Sequence, residues 1–160
     1  MQITTHSDDE TRRLGERLGE LLQPGDVVGL SGQLGAGKTT LSQGIGLGLG
    51  VDEPVSSPTF ALVHEYRGRM PVWHLDTYRV GSMDELIDLS WDDLLAGGGV
   101  LLIEWPQRIE AALPAERLDI TLRYVSEDAR ELTLIPHGPR MTALLDQLAK
   151  DWSTATVDAN

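Results

Sequence analysis

The chain has 160 residues, of which 25 are acidic and 13 are basic, so its formal net charge is −12. This length suits one domain, and 41% apolar residues are enough to form a hydrophobic core. The absence of cysteine excludes disulfides, thiolate metal ligands and a cysteine nucleophile, and it favours an intracellular protein. Because so acidic a chain repels phosphate backbones, we expect no direct, tight binding of nucleic acid by this chain alone.

We expect neither a membrane span nor a signal peptide in this sequence. Its longest charge-free run, residues 39–51, is rich in glycine and much shorter than the roughly 20 apolar residues that a membrane helix needs. The first residues are charged and lack the apolar segment of a signal peptide. We therefore expect a cytoplasmic protein that does not associate with a membrane.

The first part of the chain predicts a helix, a strand and a second helix. Leucines at helical spacing over residues 7–22, followed by a Pro-Gly pair, predict an amphipathic helix. The apolar run at 27–30 predicts a buried strand, and a glycine-rich turn over 31–37 leads into a helix over about 38–49. Alternating glycines between residues 44 and 50 are unfavourable inside this helix, and the sequence offers no functional explanation for them.

The middle of the chain predicts a hairpin, a helix and a central strand. Alternating residues over 60–66 and an extended stretch at 72–75 predict the hairpin. Helical spacing follows over residues 82–95. After three consecutive glycines, the run at 100–103 is the most strand-like in the chain, and we interpret it as a central, buried strand.

The last part of the chain predicts a second hairpin and a final helix. The hairpin strands are residues 118–124 and 132–136, and the helix spans about 140–150. No linker or internal repeat divides the chain. We therefore predict one domain over residues 1–152 and a disordered tail over residues 153–160.

A phosphate-binding motif lies between the first predicted strand and the helix that follows it. The segment 32–39 matches the P-loop pattern GxxxxGK(S/T) in full, in the strand–loop–helix context that phosphate binding requires. In such a loop the backbone amides bind α and β phosphates, the lysine reaches the β and γ phosphates, and the Thr39 hydroxyl binds Mg²⁺. The predicted phosphate-binding residues are Gly32, Leu34, Gly35, Ala36, Gly37, Lys38, Thr39 and Thr40.

Two acidic residues follow predicted strands and are candidates for metal and water chemistry. Glu104 follows the run at 100–103, and Asp76 follows the run at 72–75. We favour Glu104 as the metal-side acid because its strand is predicted to be buried on both faces. Asp76 then orients or deprotonates the attacking water, although the reverse assignment is open at this point.

Two further features lie beside these candidates. The loop Ser56-Ser57-Pro58-Thr59 is a candidate switch, in which the Thr59 hydroxyl contacts the γ-phosphate; a plain turn is the alternative. Trp105, directly after Glu104, is a candidate to stack on a partner or to shield the site; simple packing at the end of the strand is the alternative.

Four segments in order carry a family resemblance: the P-loop at residues 31–40, Ser57-Pro58-Thr59-Phe60, His74-Leu75-Asp76-Thr77-Tyr78-Arg79 and Ile103-Glu104-Trp105-Pro106. Together they resemble the bacterial TsaE family, also called YjeE, the small ATPase of tRNA threonylcarbamoyladenosine synthesis. The likeness covers roughly residues 14–123. It implies an α/β fold of the P-loop NTPase kind, with three α/β/α layers and a mixed, mostly parallel central sheet.

The resemblance also implies cofactors, roles and partners. ATP and Mg²⁺ would be the cofactors, with Lys38 and Thr39 at phosphate and metal, Glu104 as the second metal ligand, and Asp76 and Trp105 needed for hydrolysis. The partners would be the TsaB and TsaD proteins, which carry threonylcarbamoyl transfer to adenosine 37 of tRNA. The ATPase would be weak alone and productive in the complex.

Two residues outside the sharp motifs are also implied by the resemblance. Thr11 lies where the N-terminal segment of the family approaches adenine, and Arg130 lies where a late basic residue approaches the nucleotide.

Other nucleotide-dependent functions are weighed against this one. A GTPase that reads guanine with Asn-Lys-x-Asp is excluded because Asn160 is the only asparagine. A small-metabolite kinase would need an arginine-bearing lid, and Arg67 and Arg69 in a tight hairpin suit that role poorly. A non-hydrolysing nucleotide sensor would not require Asp76 and Glu104.

Overall fold

The computed structural model describes residues 1–33, 35–55, 63–77 and 90–158, and for residues 155–158 it describes the backbone only. The elements in these ranges are β1 (Gln2–Thr5), α1 (Asp8–Leu21), β2 (Val27–Ser31), α2 (Lys38–Gly48), β3 (Val63–Arg67), β4 (Pro71–Asp76), α3 (Trp91–Ala96), β5 (Val100–Glu104), a 3₁₀ helix (Pro106–Ala112), β6 (Arg117–Tyr124), β7 (Arg130–His137) and α4 (Pro139–Asp158).

The described strands form a mixed sheet in the order β1-β7-β6-β2-β5-β4-β3. Neighbouring strands run parallel from β6 through β2 and β5 to β4. The pairs β1–β7, β6–β7 and β3–β4 are antiparallel, so both predicted hairpins are confirmed. Every residue of β5 is buried, as predicted for a central strand.

Alternate residues of the central strands face two separate hydrophobic clusters. Val28 and Leu102 belong to the cluster that includes buried residues of α1, α2 and α4. Leu101 lies in the other cluster, with Trp91 of α3 and Ile109 of the 3₁₀ helix. Because side chains alternate across a strand, the sheet has a helical layer on each face. The predicted three-layer α/β/α class is confirmed.

Glycines allow helices α1 and α2 to touch. A Cβ atom on Gly15 or Gly44 would collide with a backbone carbonyl oxygen of the other helix, and the same holds one turn further along for Gly19 and Gly48. Only glycine leaves room for this approach. Gly50, with φ +78°, follows the last turn of α2 in the left-handed conformation typical of a helix end. The glycine-rich run therefore has a packing explanation, which the sequence alone did not provide.

The structure differs from the predicted elements at both termini. Strand β1 was not predicted, because its apolar pattern is short: of four residues, only Ile3 and Thr5 are buried. Helix α4 continues to Asp158, so the part of the predicted disordered tail up to that residue is helical. Trp152 packs against the core, which favours continuation of the helix beyond the predicted end at 150.

Some predicted elements fall partly outside the described residues. These are the start of the first hairpin at 60–62 and most of the predicted helix at 82–95, of which α3 is the described end. The domain limits of residues 1–152 stay a prediction. In the described ranges, no helix is both long and apolar enough to cross a membrane.

Candidate functional site

Three parallel strands end at the same edge of the sheet and bring the candidate residues together. β2 ends at Ser31 and leads into the P-loop, β4 ends at Asp76, and β5 ends at Glu104. Asp76 and Glu104 are register partners in the β4–β5 pair. In open α/β sheets, ligands bind outside the carboxyl ends of the parallel strands. The ends of β2, β4 and β5 form this edge of the sheet.

The P-loop connects β2 to α2 as the motif predicts, and it is described except for Leu34. Gly35 and Gly37 have φ values of +81° and +101°, which are favourable only for glycine. Gly37 is the N-cap of α2, and no side chain caps the helix there. The N-terminal turn of α2 is thus a suitable place for an anion.

A cavity of about 440 Å³ lies between the P-loop and the strand ends. The predicted site residues that line it are Gly35, Gly37, Lys38, Thr39, Thr40, Asp76, Glu104, Trp105 and Arg130. Residues that are far apart in the sequence therefore share one cavity. A second, smaller cavity of about 250 Å³ near Arg12 and Leu47 contains none of them.

Lys38 lies at the centre of this arrangement. Its ammonium donates to the carbonyl oxygen of Gly32 at 2.5 Å and lies 4.0 Å from the centre of the Trp105 ring. Burial lowers the pKa of Lys38 below its ordinary value of 10.5, while the negative charges of Glu104 and Asp76 act in the opposite direction. The lysine is therefore a cation that interacts with both carboxylates.

Glu104 is the more buried of the two acids, with 4% of its surface exposed, whereas Asp76 is half-buried. His74, which is fully buried, places Nε2 3.8 Å from Oε2 of Glu104. The sequence analysis assigned His74 no role at the site. His74 lies two residues before Asp76, and residues two apart share one face of a strand. This spacing could have identified His74 as a neighbour of the site.

Arg130 reaches the cavity from the β6–β7 hairpin. Its guanidinium lies 4.8 Å from the centre of the Tyr124 ring and donates to the carbonyl oxygen of Ser126 at 2.6 Å. The aromatic ring and the turn thus fix a positive charge beside the P-loop.

Thr11 is not brought to the cavity. It is 1% exposed and its hydroxyl forms a 2.6 Å hydrogen bond with that of Thr5, inside the contact between α1 and β1. Asp8, at the start of α1, lines the cavity instead, and the sequence analysis did not single it out. No local motif marks Asp8, since its place depends on how α1 packs against α2.

Four other predicted site residues need separate mention. Gly32 accepts a hydrogen bond from Lys38 through its carbonyl oxygen, and Ala36 is buried and does not line the cavity. Leu34 and Thr59 lie outside the described residues, as does the candidate switch loop at 56–59.

The side chains at the cavity offer oxygen ligands to a cation. Within the described ranges, no group of three or more histidine, aspartate or glutamate side chains is placed to hold a metal ion by itself. Mg²⁺ characteristically uses one or two protein oxygens and completes its shell with phosphates and water. The Thr39 hydroxyl and the Glu104 carboxylate fit that requirement.

The family model described as "Threonylcarbamoyl adenosine biosynthesis protein TsaE" matches residues 5–132. The chain belongs to the TsaE family. The TsaE protein of Bacillus subtilis is 41% identical over 91% of this chain and 92% of its own length, and that of Treponema pallidum is 40% identical over 84% and 99%. Both are named tRNA threonylcarbamoyladenosine biosynthesis proteins.

A solved structure has the same fold. The crystal structure of YdiB from Bacillus subtilis superimposes with a TM-score of 0.77 at 34% identity, covering 94% of this chain and 95% of that chain. The resemblance to the TsaE family is thereby confirmed, and so is the predicted fold class. The family acts in threonylcarbamoyladenosine biosynthesis.

Proposed function

We propose that this chain is a Mg²⁺-dependent ATPase required for the threonylcarbamoyladenosine modification of tRNA at position 37. The observation that carries the proposal is the convergence of Lys38, Asp76 and Glu104 on one cavity beside the P-loop. A cation and two carboxylates at the N-terminus of a helix suit the transfer of a phosphoryl group to water.

ATP binding would use the loop and Lys38. The amides at the start of α2 would hold the α and β phosphates, with Thr40 beside the α phosphate. The ammonium of Lys38, now on the carbonyl of Gly32, would turn to the β and γ phosphates. Arg130 would approach the nucleotide from the β6–β7 hairpin.

The Thr39 hydroxyl and the Glu104 carboxylate would hold Mg²⁺, which when bound neutralises charge on the β and γ phosphates. Glu104 suits this role better than Asp76 because it is the more buried acid, and its strand is buried throughout. This assignment keeps the roles favoured by the sequence.

Asp76 would act on the attacking water. Its carboxylate would orient the water and accept a proton while the water oxygen bonds to the γ-phosphorus and the bond to the β–γ bridging oxygen breaks. The products are ADP and inorganic phosphate. Trp105, which covers the ammonium of Lys38, would limit access of bulk water to this side of the site.

The partners would be homologues of TsaB and TsaD, and ATP binding and hydrolysis would drive or reset their complex. The net charge of −12 supports docking on protein rather than on tRNA. A cytoplasmic location follows from a role in tRNA modification.

Phosphate release from ATP by the purified chain, with and without the two partner proteins, tests the proposal. We expect release to need Mg²⁺, to rise with the partners, and to collapse in Lys38→Ala, Asp76→Ala and Glu104→Ala. The matched control is Lys150→Ala, because Lys150 is the other lysine of the chain and is exposed on α4. Transfer of the γ-phosphate to a metabolite would support a kinase instead, and tight binding without release would support a sensor.

A further inference from the structure

The hydroxyl of Thr77 connects the ends of strands β4 and β5. Thr77 follows Asp76 directly and is fully buried. Its Oγ1 donates to the carbonyl oxygen of Glu104 at 2.8 Å and to that of Trp105 at 2.5 Å. A threonine hydroxyl has one proton, so the two carbonyls share a three-centre hydrogen bond. The two strand ends that carry the acids are thus joined by a single side-chain group.

The backbone of Trp105 is in an unusual conformation that needs support. Its φ and ψ are 61° and 50°, in the left-handed region that a residue with a bulky side chain rarely adopts. The Trp105 N–H donates to the carbonyl oxygen of Leu30 in β2 at 3.0 Å. The turn is therefore held from one side by β2 and from the other side by Thr77.

This turn decides where two side chains of the cavity point. Glu104 precedes it and presents a carboxylate to the cavity, and the Trp105 ring centre lies 4.0 Å from the Lys38 ammonium. Because Pro106 follows Trp105, the right-handed helical conformation is disfavoured there, and the relaxed alternative is extended. A change of Trp105 to the extended conformation would alter the direction of its indole relative to Lys38.

We propose that Thr77 is a positioning residue, whose hydroxyl holds the Glu104–Trp105 turn so that the Glu104 carboxylate and the Trp105 indole keep their places around Lys38. The functional part of this inference rests on the proposed ATPase, while the geometric part does not. Thr77 itself would touch neither nucleotide nor metal.

Three variants separate the hydroxyl from the rest of the side chain. Thr77→Val removes the hydroxyl at nearly constant shape, and Thr77→Ser restores it. Thr142→Val is the matched control, because the Thr142 hydroxyl also donates to a backbone carbonyl, that of Gly138 at 3.0 Å, but outside the site. Should Thr77→Val fail to fold, Thr77→Ala takes its place with the same measurements.

The first measurement needs no nucleotide. The chain contains 4 tryptophans, so protein labelled with 5-fluorotryptophan gives separate fluorine NMR signals, and Trp105→Phe assigns that of Trp105. We expect the Trp105 signal alone to move in Thr77→Val, to return in Thr77→Ser, and to stay in place in Thr142→Val.

The second measurement is ATP hydrolysis with the partner proteins. Loss of a side chain that orients a ligand group typically costs about 10–100-fold in activity, and we expect a fall in kcat of that order in Thr77→Val, with recovery in Thr77→Ser. The concentration of Mg²⁺ that gives half-maximal binding of a fluorescent ATP analogue should rise in parallel.

Two results would overturn the inference. One is a Thr77→Val protein with an unmoved Trp105 signal and unchanged kcat. The other is a Thr77→Val protein in which all four signals move and Thr77→Ser restores nothing, which would make the residue merely structural. If the wild-type chain hydrolyses no ATP even with its partners, the proposed function fails, and the Trp105 signal alone decides whether Thr77 positions the turn.

Discussion

The ammonium of Lys38 lies 4.0 Å from the centre of the Trp105 ring and 2.5 Å from the carbonyl oxygen of Gly32. Both partners are electron-rich groups of the chain itself, and they hold the cation at the mouth of the P-loop. A triphosphate would displace the ammonium from the Gly32 carbonyl, whereas the indole would stay in contact with it. The indole and the loop carbonyl therefore pre-position the charge before a ligand arrives.

Substitutions of Trp105 should rank by the strength of the cation–π contact. We expect Trp105→Ala to lower kcat/KM for ATP more than Trp105→Phe, because phenylalanine retains a weaker aromatic face. At a partly buried site such a contact contributes about 0.5–2 kcal/mol, and it changes the rate to the extent that the transition state keeps it. Steady-state hydrolysis in the partner complex measures the ranking, with Trp152→Phe as the control. Equal activity of Trp105→Ala and wild type would show that the ring only packs.

ATP affinity should decline at alkaline pH earlier than an ordinary lysine allows. Because burial lowers the pKa of Lys38 from 10.5, the free protein loses this ammonium charge at a pH below that value. The phosphates favour the charged form, so binding raises the pKa and takes up a proton in this range. Calorimetric titrations in buffers of different ionisation enthalpy would detect the uptake. A wild-type affinity that holds constant up to pH 10.5 would refute this prediction.

The lowered pKa of Lys38 also predicts how the stability of the fold depends on pH. In the range between the lowered pKa and 10.5, the unfolded chain binds more protons at Lys38 than the native chain does. The contribution of Lys38 to stability therefore rises with pH in that range. Lys38→Met should remove this rise, while Lys150→Met should leave it in place.

Gly44→Ala should destabilise the protein although alanine is the better helix former. The new Cβ would collide with the backbone carbonyl of Arg12, and a backbone atom cannot move aside without separating α1 from α2. We expect a loss of about 1–3 kcal/mol in the free energy of unfolding, the usual range for overpacking. Urea unfolding measures it, with Leu47→Ala at an exposed position of the same helix as the control. Gly44→Ala as stable as wild type would mean that the two helices do not touch there.

Arg69 should contribute to stability through helix ends rather than through catalysis. Its guanidinium donates to the carbonyl oxygens of Gly48 at 2.6 Å and of Gly19 and Leu22 at 2.8 Å each, which joins the C-termini of α1 and α2 to the β3–β4 turn. Hydrogen bonds to a charged group are worth about 1.5–3 kcal/mol, so Arg69→Ala should lower the free energy of unfolding by that order. The control is Arg67→Ala, at an equally exposed position of the same hairpin, which should not lower the free energy of unfolding.

Measurements of ATP hydrolysis test whether Arg69 also has a role in catalysis. If Arg69 acts only on the helix ends, kcat at a temperature where the variant is folded should equal that of wild type. A kcat that falls in a fully folded Arg69→Ala protein would instead support the arginine lid of a kinase.

The sequence predicted the parts of the site that depend on local pattern. Lys38 and Thr39 follow a glycine-rich loop between an apolar run and a helix, and Asp76 and Glu104 follow apolar runs, so their places needed no knowledge of which strands are neighbours. These residues lie at the same edge of the sheet because the carboxyl ends of parallel strands share one edge.

The parts that sequence reasoning missed depend on contacts between distant segments. Asp8 reaches the cavity because α1 packs on α2, and Thr77 meets the Trp105 carbonyl because β4 pairs with β5. The glycine spacing in α1 and α2 was visible, but only the contact between the helices gives it a meaning. Thr11 was assigned by resemblance, and its burial against Thr5 is a property of β1, which the pattern was too short to predict.

The most direct test of the central claim is a calorimetric titration of ATP with Mg²⁺ into the wild-type chain, Lys38→Ala and Lys150→Ala. We predict saturable binding at one site per chain, lost in Lys38→Ala and retained in Lys150→Ala. Absence of binding by the wild-type chain, or equal binding by Lys38→Ala, would contradict the assignment of this cavity as a triphosphate site.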